Sequence, residues 1–209
     1  SVLRAGLVAT WGRPSLVLTP GARPVEELAV RAAACTGRDA AALAAEFTAH
    51  PENLHLRVRQ ALVEDDDDLL IVVDQFEEVF TLCREPAERA AFIAALTTAA
   101  TAPTSRTRVV LGVRADFFGH CGQYPELVEA LRGGHVLVGP MTADELREAV
   151  VAPAVAVGCK VETALVTRLV ADAAGQPGVL PLVSHALLET WRRRRGVALT
   201  LAGYEEVGG

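Results

Sequence analysis

The sequence predicts an α/β fold: a three-layer domain on a parallel sheet, followed by an all-helical subdomain. Three observations predict it. Four short aliphatic runs punctuate residues 16–138, helix-length segments separate them, and from residue 142 onward the periodicity is helical throughout. Strands joined by crossovers of helix length are parallel, with right-handed connections.

Leu16-Val17-Leu18-Thr19 is the first β-prone run, closed by Pro20-Gly21, and helical periodicity follows from Val25 to Ala34. A second helical pattern, Ala40 to Val63, is broken near Pro51, and the acidic run Asp65 to Asp68 reads as a solvated loop. Leu69-Leu70-Ile71-Val72-Val73 is apolar at every position, which requires cover on both faces and so predicts a central strand. A helix from Pro86 to Ala99 and a Pro/Thr/Ser loop lead to Arg108-Val109-Val110-Leu111-Gly112-Val113, which repeats the buried-strand pattern. His135-Val136-Leu137-Val138 predicts a fourth strand. Thr142-Ala143-Asp144-Glu145 has the form of a capping box, worth about 1 kcal/mol, and helices over 162–174 and 181–195 complete the tail.

Composition narrows the function. The 209 residues carry a formal net charge of −6, which argues against a chain-wide footprint for nucleic acid or anionic membrane. The uncharged stretches Ala90 to Ser105 and Ala173 to Leu188 are shorter than the roughly 20 residues of a membrane span and contain proline. The four cysteines, Cys35, Cys83, Cys121 and Cys159, have no zinc-like spacing and read as reduced cytoplasmic thiols. The start at Ser1-Val2-Leu3-Arg4 suggests a piece of a longer polypeptide.

Ligands of open parallel sheets bind beyond the C-terminal strand ends, so the polar residues there are the candidates. Leu69 to Val73 runs into Asp74-Gln75-Phe76-Glu77-Glu78. A carboxylate fixed at the end of a buried strand suits a hydrated Mg²⁺, and Glu77 or Glu78, one turn on, suits the orientation of an attacking water. The same acids also suit the cap of a helix N-terminus. Arg114, at the tip of the next run, is placed to touch a phosphate or to pair with Asp116 or Asp74. In Pro177-Gly178-Val179-Leu180-Pro181-Leu182, glycine and proline set a turn and Pro181 opens a helix. Arg192 to Arg195 beside Trp191 reads as a solvated cationic helix end, with nucleic-acid contact the lesser reading.

Together and in this order, these features resemble the STAND signal-transduction P-loop NTPases, specifically their bacterial novel STAND class. Asp74-Gln75-Phe76-Glu77-Glu78 resembles the Walker B segment, Arg114 the sensor, and Gly178 to Leu182 the element whose proline lies against adenine. Leu3-Arg4-Ala5-Gly6-Leu7, Gly139-Pro140-Met141-Thr142 and Leu187-Leu188-Glu189-Thr190-Trp191 also match the class. The resemblance implies an ASCE-type core over residues 1–141, a helical lid over 142–198 and, in Leu199 to Tyr204, the start of a winged-helix-like module over 199–209. It implies Asp74 as the Mg²⁺ carboxylate, Glu77, Glu78 and Arg114 as catalytic, and Ser1, Arg114, Gly178 and Pro181 as contacts of ATP or ADP. It further implies a cytoplasmic multidomain regulator, with an effector upstream and a repeat-type sensor downstream, and a nucleotide-dependent homo-oligomer. A non-hydrolysing scaffold and a DNA-binding segment using Arg192 to Arg195 are the alternatives.

One departure is chemical. The phosphate-gripping GxxxxGK[ST] loop needs a lysine, and the single lysine, Lys160, lies in Val157-Gly158-Cys159-Lys160-Val161 without that spacing. These 209 residues hold no such loop. In the class it immediately precedes the Leu-Arg-Ala-Gly helix, which would put Ser1 at or just after its hydroxyl position and leave this stretch inactive in hydrolysis.

Overall fold

The computed structural model describes residues 3–62, 68–173, 180–194, 196–206 and 208. It divides into two compact units, Ser1–His135 and Val136–Gly209.

In the first unit a wide helical turn, Leu3–Val8, continues into α1 (Ala9–Trp11). There follow β1 (Ser15–Leu18), α2 (Pro24–Thr36), α3 (Ala40–Ala49), α4 (Asn53–Ala61), β2 (Leu69–Val73), α5 (Glu78–Thr81), α6 (Pro86–Thr101), β3 (Thr107–Leu111), α7 (Phe118–Cys121) and α8 (Pro125–Leu131). Local chemistry sets several boundaries. Pro24, Pro86 and Pro125 stand at the first helical position, where a missing N–H costs nothing. Asp39 caps α3 by accepting from the Ala42 N–H at 2.9 Å. Gly37 ends α2 in the left-handed conformation.

The sheet is parallel with order β1-β2-β3, so the fully buried β2 is central, as its unbroken aliphatic run requires. The register pairs Leu16 with Ile71 and Ile71 with Val109. Leu16, Leu18, Leu69, Ile71 and Val73 therefore share one face, and they join the core formed with Leu28, Phe47, Leu54, Phe92, Ile93 and Leu96 of α2, α3, α4 and α6. Leu70 and Val72 on the opposite face are also buried. β3 is an edge strand and less buried than its sequence suggested, with Arg108 exposed and paired to Asp68 at 3.1 Å. An edge strand needs only partial cover.

Between α3 and α4, Glu46 accepts from Arg57 Nε at 2.9 Å and Nη2 at 2.6 Å and from Asn53 Nδ2 at 2.8 Å. The Arg57 hydrogen bonds hold the Glu46 carboxyl below its usual range. The stabilisation is therefore complete above the unfolded carboxylate value, about 4.5, and is lost as pH falls through the lower folded value. Glu46→Gln should flatten the acid limb of a melting-temperature profile while leaving its shape near neutrality unchanged.

Two expectations are corrected. Residues 135–138 form no strand: Val136, Leu137 and Val138 are 88%, 83% and 72% exposed and pair with no strand among the described residues. An aliphatic run signals a demand for cover, whereas a strand also needs a partner edge. The second unit is not all-helical. It contains α9 (Ala143–Ala156), β4 (Lys160–Val161), α10 (Thr163–Ala173), α11 (Leu180–Arg193), β5 (Ala198–Leu199) and α12 (Leu201–Glu205), with β4 and β5 paired in parallel. Two-residue strands are too short for periodicity to reveal.

The capping box is formed: Glu145 Oε2 accepts from the Thr142 N–H at 2.7 Å, and Thr142 Oγ1 from the Glu145 N–H at 3.3 Å. The core of this unit gathers Leu146, Val150, Leu165, Leu169, Leu199 and Tyr204. At the end of α11, Arg192 and Arg193 pair with Glu189, and the Arg194 guanidinium lies 3.7 Å from the Trp191 ring centroid. No described helix is long and apolar enough to cross a membrane.

Candidate site at the strand ends

Because β1, β2 and β3 are parallel, their C-terminal ends lie along one edge of the sheet. The segment after β2 is pinned from both sides. The Asp74 N–H donates to Leu18 O at 2.9 Å, and the Phe76 N–H donates to Gly112 O at 2.7 Å. Between them Gln75 has φ +58°, a left-handed conformation costing a residue with a Cβ on the order of 1–2 kcal/mol. The Phe76 side chain, fully buried, offsets that cost. It meets the Phe80 ring edge-on at 5.6 Å and the Phe92 ring at 6.4 Å. This tight turn sends three carboxylates toward the strand ends.

Each carboxylate has a different partner. Asp74 Oδ2 accepts from Arg4 Nε at 3.2 Å, and Arg4 Nη2 also donates to Thr19 Oγ1 at 3.3 Å. Glu78 Oε2 accepts from the Gly21 N–H at 2.9 Å, which ties the loop after β1 to this segment. Among the described residues Glu77 Oε2 receives a single long contact, 3.4 Å, from the Arg114 N–H. Asp74 Oδ1 accepts no hydrogen bond among the described residues and faces Gly112, where a Cβ would stand 3.5 Å from it and 2.6 Å from Leu3 Cδ1. A side chain at 112 would have to move the Leu3 methyl that packs there.

Arg114 forms a two-pronged pair with Asp116, Nε to Oδ1 at 3.1 Å and Nη2 to Oδ2 at 2.7 Å. That hydrogen-bonded pairing raises the Arg114 pKa above the ordinary guanidinium value and holds Asp116 below the usual carboxylate range. Both side chains are exposed.

Asp74, Glu77, Glu78 and Arg114 are thus brought to one edge, as their positions after strands require. Pro181 belongs to the other unit, exposed in the first turn of α11, and Ser1 and Gly178 lie outside the described residues. Arg4, Thr19, Gly21 and Gly112 are the site residues that the sequence reading missed. The strand-end rule applied to β1 would have found Thr19, but nothing in the spacing joins Arg4 to an acid 70 residues away.

The other reactive side chains have structural settings. Cys121 is buried in the core, which pushes its thiol pKa up, while His120 stacks on Phe80 at 5.5 Å and lies 5.2 Å from the Phe117 ring centroid. Among the described residues no group of three or more His, Cys, Asp or Glu side chains could hold a metal. A protein cage for a cation is therefore absent from them. A single carboxylate with one oxygen that accepts no hydrogen bond still suits Mg²⁺, which keeps most of its water.

The family described as Novel STAND NTPase 1 matches residues 1–209. The chain belongs to this family. Membership makes it a STAND NTPase-type, nucleotide-related domain. Such domains are generally parts of multidomain proteins. A comparison with curated proteins finds no match.

Proposed function

We propose that this STAND domain is the nucleotide-binding switch module of a cytoplasmic regulator, taking Mg²⁺ with ATP or ADP at the strand ends. The observation that carries the reading is the convergence of Asp74, Glu77, Glu78 and Arg114 on one edge of the parallel sheet. In this proposal Asp74 holds Mg²⁺ through water, using the oxygen beside Gly112. The ion would supply charge neutralisation on the phosphates. Glu77 positions the hydrolytic water, because its carboxylate is the least committed of the three. Glu78 keeps the loop at Gly21 in place. Arg114 senses the terminal phosphate once released from Asp116; the family resemblance assigns Gly178 and Pro181 to the base and Ser1 to the phosphate loop.

The proposal keeps the ASCE-type core over 1–141, a helical lid over 142–198 and the start of a winged-helix-like module over 199–209. The phosphate-gripping loop is then supplied from outside these 209 residues, since no GxxxxGK[ST] occurs in them. Catalysis at such a site is positioning and charge stabilisation, with little covalent chemistry for the protein to perform. As a switch, the module must bind ATP with different affinity in two arrangements.

One observation favours a second reading, a scaffold that does not hydrolyse: the Arg114 fork is closed on Asp116. The two readings separate in a polypeptide carrying these residues together with a GxxxxGK[ST] loop. The switch reading expects an ATP-dependent rise in its melting temperature, and an unchanged melt would favour the scaffold. The 209 residues alone should show negligible ATP hydrolysis.

A further inference from the structure

Arg4 stands beside the acid turn, and the proposed function gives it no role. It is half-exposed, on the helical turn Leu3–Val8, while the Asp74 side chain it holds is only 15% exposed. Its guanidinium bridges two neighbouring strand ends, through Thr19 after β1 and Asp74 after β2. Asp74 belongs to a segment with three acids in five residues, and Arg4 is its ionic partner among the described residues. A guanidinium beside Asp74 neutralises the carboxylate without a metal. A dication at the same carboxylate meets that positive charge at close range, and the two repel.

We infer that Arg4 sets the cation affinity of the Asp74 site: it is the resident counter-cation of Asp74 and is displaced when a divalent cation binds. This rests on the reading of Asp74 as the cation's carboxylate. The geometry gives Arg4 somewhere to go, because Thr19 Oγ1 offers its Nη2 a neutral acceptor that does not involve Asp74. The other Asp74 oxygen lies on the Gly112 side and accepts no hydrogen bond among the described residues, so it is not committed to Arg4 and is the oxygen left to meet a cation.

The test uses Mn²⁺ alone as the probe, titrated into the ¹⁵N-labelled 209-residue chain, with paramagnetic broadening of the Gln75 and Gly112 amides as the readout. Such broadening detects weak occupancy and needs no turnover. Arg4→Ala should reach half-broadening at a Mn²⁺ concentration lower by on the order of tenfold, the effect of removing one adjacent unit charge. Arg4→Gln, which keeps a polar group toward Thr19, should do the same and guards against a folding defect in the alanine variant. Arg4→Lys should stay close to the parent, and Asp74→Asn should abolish the broadening. If Asp74→Asn abolishes it but Arg4→Ala and Arg4→Gln leave the midpoint unchanged or higher, the role of Arg4 is overturned and Asp74 remains the cation's carboxylate. If no variant shows broadening that depends on Asp74, the assignment of Asp74 falls, and the inference with it.

Discussion

Phe76→Ala should destabilise the first unit by about 3–5 kcal/mol, the usual cost of emptying a buried aromatic site. Phe76 is fully buried between Phe80 and Phe92, so the cavity would open within the main core. The loss should reach the site as well. Phe76 is the anchor between Asp74 and Glu77, and it holds the left-handed turn at Gln75 against its own strain. Chemical denaturation would read the stability change, and proteolysis at the 74–78 turn should become faster. Phe92→Ala, equally buried but remote in sequence from the turn, should cost comparable stability with less effect on the acid segment.

The second large effect separates the two glutamates. In a polypeptide that includes the phosphate loop, Glu77→Gln should lower ATP turnover by about 100-fold or more, the contribution of a positioned general base. Glu78→Gln should leave turnover within a few-fold, because the amide oxygen can still accept from the Gly21 N–H. Glu78→Ala should instead cost stability of about 1–3 kcal/mol, since it strips the Gly21 N–H of its partner. Steady-state turnover and melting temperature on the same three variants give the separation. Unchanged turnover in both glutamine variants would show that neither carboxylate acts on water.

Much of the architecture was legible because strong local signals coincide with tertiary demands. The run Leu69 to Val73 could only be a central strand, and its burial at every position agrees. Prolines 24, 86 and 125 mark helix starts, and Thr142 with Glu145 forms the box that their spacing predicts. Residues 135–138 were misread because an apolar run says nothing about the availability of a partner edge. The β4–β5 pair was invisible because two residues carry no period.

At the strand ends, the rule pointed to Asp74, Glu77, Glu78 and Arg114, and the structure brings these four to one edge of the sheet. It could not say how each would be partnered. Arg4 reaches Asp74, Gly21 reaches Glu78 and Asp116 captures Arg114 through contacts set by folding, and only the last pair is close in sequence. The geometry therefore turned three equivalent acids into three different ones: Asp74 ion-paired, Glu78 committed to a loop, and Glu77 least engaged.

The central claim is that Asp74, at the end of β2, makes nucleotide binding depend on Mg²⁺. Calorimetric titration of ATP into the polypeptide that joins these residues to a phosphate loop, with and without Mg²⁺, tests it most directly when repeated on Asp74→Asn. The account predicts tight binding only with Mg²⁺ in the parent, and a variant in which added Mg²⁺ makes little difference. Equal Mg²⁺ dependence in parent and variant, or no ATP binding by the parent, would contradict it.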